Sequence, residues 1–434
     1  MIKGLIIIPC ILLLFALPVY ASDLNREAFA DYPKISPLPE GAKNNPTIVS
    51  DYSSNEVAVK AVERNITLFS ERIKERFSLW LSRSGKYTEL MKDILRGENI
   101  PEEIVFIPLI ESGFSPYACS PARAVGYWQF IASTAKKYGL KINWWMDERR
   151  DPVKSTMAAA SYFKDLYEMF GSWNLAMAAY NAGEGKILKA ITKNNTDDYW
   201  SLLDTKYIRS ETKDYVPKFI AASMIANSPE DFGFEELEYH SPLNYDEVSI
   251  ESPLDLQVVA DCAETTLSVI KELNPELRRW CTPPDVSEYT LRIPEGKKDI
   301  FFENLSLVPQ KELFSIDTYT VKKGDTFKKI SGRTGVPVQV VLDLNSMEKI
   351  IPLRDGMKVY LPPKGKFVLD RDDRAGIKKA SFKGKKKSFT KKRSTSIKGL
   401  KKASLKKRST SIKGLKKASL KNKKKSPAPQ YKKT

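Results

Sequence analysis

Histidine is almost missing from this chain. His240 stands alone among 434 residues. A Ser-His-Asp triad would have to run through it, and a multi-histidine metal site is excluded. Cysteine is scarce too. Cys10, Cys119, Cys262 and Cys281 form no CxxC pair, which argues against structural zinc, and no cofactor is expected. Cys262 and Cys281 are close enough in sequence to pair, leaving Cys119 odd; the alternative is that all three are reduced, half-buried small residues. With histidine and metal set aside, any hydrolytic chemistry falls to carboxylates. Acidic residues are themselves absent from the last stretch: residues 375–434 hold 24 Lys and Arg and no Asp or Glu. The net charge of +18 therefore divides into a body of −6 and a polycationic tail. The high isoelectric point does not make the whole chain a nucleic-acid binder.

Lys3, an uncharged apolar run over residues 5–19, and Val19-Tyr20-Ala21 before Ser22 make residues 1–21 a signal peptide. The run is about 15 residues, short for a span, and Pro9 and Pro18 interrupt it. An uncleaved anchor is the alternative. Cys10 is not read as a lipidation site, because Pro9 precedes it and the apolar run continues beyond. The chain is expected to be exported to the periplasm or cell envelope, with no stable membrane span after cleavage.

Residues 22–56, rich in Pro, Ser and Asn, read as a linker. From Val57, apolar residues recur at steps of three and four (Val59, Val62, Ile66, Phe69, Ile73, Phe77, Leu81), which predicts a helix that Gly85 ends. A shorter helix is expected from Tyr87 to Leu95. An apolar run over residues 104–110 follows, broken only by Pro108. Ser133 is placed as the cap of a helix that Gly139 stops, and Ser172 as the cap of an uncharged, buried helix from Trp173. Residues 57–230 are thus an all-helical domain with no strand. Residues 231–252 read as a polar stretch. Residues 253–296 and 318–362 then each show helical patterns closed by a short strand-like run. Residues 363–434 are a Lys-rich tail containing KKRSTSIKGLKKASL twice in succession, 391–405 and 406–420. Such a segment cannot bury enough surface to fold and is expected to be disordered.

Glu111 ends the apolar run, just before Gly113. A carboxyl emerging from an apolar segment is partly desolvated, which disfavours its charged form and raises its pKa, as a general acid near neutral pH requires. Downstream, Gly126-Tyr127-Trp128-Gln129 and Ala179-Tyr180-Asn181-Ala182-Gly183 offer aromatic faces for sugar rings and neutral groups for hydroxyl and acetamido substituents. Taken singly, these segments equally suit core packing and helix capping. Glu184, Glu211 and Asp214 are read as surface or ion-pairing acids; one of them facing Glu111 would favour a hydrolytic lysozyme.

In this order and spacing, Glu111-Ser112-Gly113-Phe114-Ser115-Pro116, Gly126-Tyr127-Trp128-Gln129, Asp147-Glu148-Arg149-Arg150-Asp151-Pro152, Ala179-Tyr180-Asn181-Ala182-Gly183 and Glu211-Thr212-Lys213-Asp214-Tyr215-Val216 resemble the catalytic domain of lytic murein transglycosylases, most closely the membrane-bound D type. The resemblance implies a mainly α chain: a lysozyme-like helical domain, small α+β LysM-like modules, and the basic tail. It implies cleavage of the MurNAc–GlcNAc bond of peptidoglycan, with Glu111 as acid and base and with Ser112, Gln129, Tyr180, Asn181 and Tyr215 binding substrate. Cys119 lies where the family has small or polar residues, and no lipidation cysteine ends the leader, so the membrane-bound label does not carry over.

Residues 318–362 resemble a LysM module, a βααβ fold that binds N-acetylglucosamine-containing glycans. Gly324-Asp325-Thr326, Leu344-Asn345 and Val359-Tyr360-Leu361-Pro362 carry the match, which implies glycan-binding roles for Gly324, Asp325, Thr326 and Asn345. An ordinary turn and helix cap is the other reading of Gly324-Asp325. Residues 253–296 look like a degenerate LysM repeat without the Gly-Asp signature. The expected partners are peptidoglycan glycan strands and, for the tail, anionic envelope polymers rather than nucleic acid, an attraction that salt weakens; a solubilising or spacer tail is the other reading.

Overall fold

The computed structural model describes residues 52, 53 and 55–366. The leader, nearly all of the 22–56 linker, Cys10 and the tail beyond residue 366 lie outside the described residues. Two units emerge, divided after Ser315.

The first unit begins with α1 (Glu56–Thr67), whose N-cap Asn55 accepts from the Ala58 amide. A π-helical turn, Leu68–Arg72, joins it to α2 (Lys74–Gly97). Gly85 does not end this helix: α2 runs straight through it. A Cβ there would sit 2.7 Å from the His240 carbonyl, so the glycine admits the returning chain instead of terminating a helix. His240 itself is exposed and meets the domain through its backbone amide on Ser82.

A 3-10 turn, Glu102–Phe106, leads into the short α3 (Ile107–Ser112), then α4 (Ala132–Lys137), α5 (Pro152–Phe170), α6 (Trp173–Ala182), α7 (Glu184–Asn194), α8 (Tyr199–Leu202) and α9 (Ser210–Asn227). Ser172 caps α6 through the Leu175 amide, and α6 is buried along residues 173–179, as its lack of charge implied. Ser133, in contrast, lies inside α4, whose N-cap is Ile131 with no side-chain bond. Helix α9 packs against α1, α3 and α6, which makes it a central element of the domain. Pro217 interrupts α9, and a proline frees the carbonyl four residues before it. The buried Tyr199 hydroxyl donates to that carbonyl, on Lys213, at 3.0 Å and to Thr212 at 3.1 Å, so the break is satisfied where Tyr215 projects.

The module after the helical domain is larger than the sequence indicated. Residues 245–250, read as part of a polar stretch, form β1 (Tyr245–Ile250), antiparallel to β2 (Tyr289–Pro294). Between them lie α10 (Leu256–Cys262) and α11 (Leu267–Leu273); α12 (Lys298–Leu307) and α13 (Gln310–Leu313) follow. Only Val248 and Ile250 of β1 are fully buried, a half-buried alternation too short to stand out. Cys262 and Cys281 are both buried but not joined, and Cys119 is exposed.

This module is docked on the helical domain rather than tethered to it. The Asp147 amide donates to the Glu276 carbonyl and the Arg278 amide to the Trp145 carbonyl, each at 2.9 Å. Arg292 on β2 meets Asp151 at 2.9 Å, both buried. Breaking one side of such a pair strands a buried charge.

The second unit holds β3 (Asp317–Thr320), α14 (Phe327–Thr334), α15 (Val338–Leu344) and β4 (Lys358–Leu361), with β3 antiparallel to β4. Phe327, Ile330, Val341 and Val359 form its small core. Among the described residues no helix is long and apolar enough to cross a membrane.

Candidate active site

Glu111 lies in the last turn of α3. Its carboxyl is desolvated by the surrounding apolar packing, which pushes its pKa from the ordinary 4.5 up to about 7. A hydrogen bond from Tyr215 and the charge of Lys218 pull the other way, and Glu211 adds a little upward push. Tyr215 donates to Glu111 Oε1 at 2.7 Å. Among the described residues Oε2 makes no hydrogen bond.

The chain reverses directly after Glu111. Gly113 and Phe114 both adopt the left-handed region, at φ 58° and 54°. A Cβ on Gly113 would lie 2.2 Å from the Trp80 ring, so the glycine is required by both conformation and space. The Ser112 hydroxyl bonds the Pro108 carbonyl at 3.1 Å and the Tyr127 carbonyl at 2.8 Å. Ser112 therefore ties the glutamate's helix to the 126–129 turn.

Gln129 sits at φ 50° in that turn. Its amide nitrogen donates to the Gly126 carbonyl at 2.9 Å and the Ala118 carbonyl at 3.2 Å, which leaves its carbonyl oxygen as the accepting end. Tyr180 donates to the Trp128 carbonyl at 2.6 Å and stacks on Phe163 at 4.5 Å. Burial and the nearby Glu111 charge raise the Tyr180 and Tyr215 hydroxyl pKa values well above the usual range, so both stay protonated donors. Asn181 accepts from Thr212 at 2.9 Å through Oδ1, and its NH2 group makes no hydrogen bond among the described residues. Glu111, Tyr180 and Tyr215 thus come together, and Ser112 and Gln129 are joined to them through the 126–129 turn.

Two of the other acids, Asp214 and Glu184, are engaged elsewhere. Asp214 bonds Arg64 at 2.5 Å and Asn65 at 2.9 Å, which holds its pKa below the ordinary value despite partial burial. Glu184 is exposed and faces Tyr162 at 3.4 Å; Glu211 is exposed. Among the described residues Glu111 has no ion pair and no carboxylate hydrogen-bonded to it. Nor does any group of three or more His, Cys, Asp or Glu there suit a metal.

The segment 147–152 holds the turn in place, a role the sequence did not disclose. Arg149 forms a buried fork on Asp147 (2.9 and 2.7 Å) and donates to the carbonyls of Arg123 and Phe130, each at 3.0 Å. Gly126 packs so closely on it that a Cβ would lie 1.8 Å from the Arg149 carbonyl oxygen, at φ 85°. Gly126→Ala is therefore expected to destabilise the fold by more than about 3 kcal/mol, read as a fall in the unfolding midpoint; a shift under about 1 kcal/mol would contradict this packing.

In the second unit the side chains of Asp325, Thr326 and Asn345 are used internally. Asp325 accepts from the Tyr319 hydroxyl at 2.7 Å and the Lys322 amide at 3.0 Å, and pairs with Arg333. Thr326 caps α14 through the Lys329 amide. Gly324 takes φ 82° in the turn. Asn345 bonds both the amide and the carbonyl of Tyr360, each at 2.9 Å, locking α15 to β4.

Three segments match known domain families: residues 91–203 the transglycosylase SLT domain, residues 244–310 the LysM-like domain of lytic transglycosylase MltD, and residues 319–362 the LysM domain. The chain is 34% identical over 283 residues to membrane-bound lytic murein transglycosylase D of Escherichia coli K12, covering 62% of this chain and 61% of that one. It thus spans about three fifths of that relative's length. It is 38% identical over 112 residues to a putative tributyltin chloride resistance protein of an Alteromonas species, covering 26% of this chain and 54% of that one. Among solved structures, the 70 kDa soluble lytic transglycosylase of Escherichia coli aligns at 22% identity and a TM-score of 0.31, over 44% of this chain and 34% of that one.

Proposed function

We propose that this chain, a mostly helical SLT domain followed by an MltD-type LysM-like domain and a LysM domain, is an exported lytic transglycosylase that cuts the MurNAc–GlcNAc β-1,4 bond of peptidoglycan. The observation that carries this reading is one desolvated carboxyl at the site, Glu111, with a tyrosine donor on one oxygen and, among the described residues, no second carboxylate bonded to it. Ordinary glycosidases need two carboxyls, one of them to activate water or to attack the sugar. One suffices if the nucleophile belongs to the substrate.

Protonated at Oε2, Glu111 gives its proton to the glycosidic oxygen as the bond to C1 breaks. The neighbouring 2-acetamido oxygen bonds to C1 and takes up the positive charge. Glu111, now a carboxylate, accepts the proton of the C6 hydroxyl, whose oxygen displaces the acetamido group and closes the 1,6-anhydro ring. The proton count balances and Glu111 returns to its starting state. Because the attacking hydroxyl is in the same sugar, the ring closure gains from proximity. The Gln129 carbonyl and the Asn181 NH2 group suit the polar substituents of the sugars, with Tyr180 holding the turn.

The first test is product identity: purified protein should release 1,6-anhydro-muropeptides from sacculi. Reducing-end MurNAc would favour a lysozyme-type hydrolase, and binding without release a non-catalytic wall protein. Tyr215→Phe removes a bond that favours the carboxylate. It should move the alkaline limb of the pH–rate profile, where Glu111 loses its proton, upward by roughly half to one unit; an unmoved or lowered limb would contradict the Tyr215–Glu111 bond. Gly324, Asp325, Thr326 and Asn345 support glycan binding by building the LysM turns, and the cationic tail favours anionic envelope polymers as its partners.

A further inference from the structure

Arg150 lacks what its neighbours have. Every acid of the segment 147–151 is held by another cation: Asp147 by Arg149, Glu148 by Lys154 at 2.8 Å, and Asp151 by Arg292. Arg150 itself makes no ion pair or side-chain hydrogen bond among the described residues, and its Nε is buried without a partner. Its guanidinium lies 5.7 Å from the centroid of Tyr117. Tyr117 is 57% exposed, unusual for a ring so close to a buried turn. Its hydroxyl reaches the Lys271 carbonyl on the LysM-like module at 3.4 Å.

Both residues flank the turn that carries Gln129. The Arg150 amide nitrogen would lie 3.3 Å from a Cβ on Gly126. Tyr117 precedes Ala118, whose carbonyl receives both the Gly126 amide and the Gln129 side chain. Of the acids that act on Tyr117, Glu272 pairs with Lys86, and Glu276 accepts from the Tyr289 hydroxyl through Oε1 while its Oε2 is buried without a partner. A guanidinium with free donors, backed by an aromatic face, is suited to a planar carboxylate.

We propose that Tyr117 and Arg150 form a carboxylate subsite beside Gln129, which takes an acidic group of the peptide attached to the glycan strand. The subsite rests on the transglycosylase reading above and adds peptide recognition to it. Arg150 supplies the charged fork, Tyr117 the face on which it lies, and the docked LysM-like module the far wall. The enzyme then distinguishes peptide-bearing from bare glycan before the bond is cut.

The test compares kcat/KM on soluble peptide-bearing strands with that on strands stripped of peptide by an amidase. The unaltered protein should favour the peptide-bearing strands. Arg150→Gln should lower that ratio about tenfold, the loss of one charged hydrogen bond, Tyr117→Ala should lower it less, and Arg150→Lys should fall between Gln and the unaltered protein. Amidating the peptide carboxyls should bring the unaltered protein to the ratio of Arg150→Gln, a result that needs no variant to fold. An unchanged ratio in the variants, or an unchanged rate on amidated strands, would overturn the subsite while leaving the transglycosylase reading intact. Absence of anhydro products from both strands with the unaltered protein would overturn both.

Discussion

Glu111→Gln is expected to lower anhydro-muropeptide release from sacculi by at least about a thousandfold, because one group serves as acid and then as base and each role is worth about 10²–10⁴. Gln keeps the shape and can still accept from Tyr215, but it neither gives up nor takes a proton. Sacculus binding should persist, since the LysM unit and the Gln129 turn are untouched. Release reduced less than about tenfold would place the proton transfer on another residue. The unaltered protein should also lose kcat/KM as pH rises through about 7, where the free enzyme's Glu111 ionises.

The same substitution should make the protein more stable at alkaline pH. The folded protein holds Glu111 at about 7 against 4.5 in the ordinary state. Below 4.5 the carboxyl is protonated in both folded and unfolded chains. Between the two values the unfolded chain ionises first, so native stability declines as pH rises. Above about 7 the full penalty remains, on the order of 3 kcal/mol. Gln carries no charge and escapes it. Denaturant unfolding should therefore show Glu111→Gln gaining stability at pH 8 and little at pH 4. Glu276, raised to about 7 mainly by burial and then by Asp151, acts in the same direction but is present in both proteins and cancels. A loss of stability at pH 8 would mean that the charged form of Glu111 is well solvated after all.

Much of the site was legible in the sequence because its chemistry is local. Glu111 follows an apolar run, and a carboxyl there is desolvated whatever the tertiary detail. Tyr180 sits in an uncharged helix and so must lie near the core. What the sequence did not disclose depends on contacts between distant segments. The Tyr215–Glu111 bond joins residues 104 positions apart; its family resemblance, rather than its spacing, marked Tyr215. Gly85 reads as a helix stop because glycine usually is one, yet its reason for being there is the chain returning at His240. Strand β1 hid in a polar stretch because its partner lies about 40 residues on and only two of its side chains are fully buried. Ser112, Asp325, Thr326 and Asn345 are marked by their motifs, but their side chains bond to the protein itself.

The LysM-like module is docked on the helical domain through backbone hydrogen bonds and the Arg292–Asp151 pair. A tethered module raises the local concentration of substrate. A docked one shares a buried ion pair and backbone hydrogen bonds with the segment that holds the Gln129 turn, so its residues contribute to the geometry of the helical domain. Arg292 illustrates this: it belongs to β2 but satisfies Asp151, the N-cap of α5.

Digestion of sacculi in water enriched in oxygen-18 tests the single-carboxylate route most directly. Ring closure by the C6 hydroxyl should yield anhydro-muropeptides carrying no label at C1. Reducing-end MurNAc bearing one oxygen-18 would show that water attacks C1, and would contradict the route.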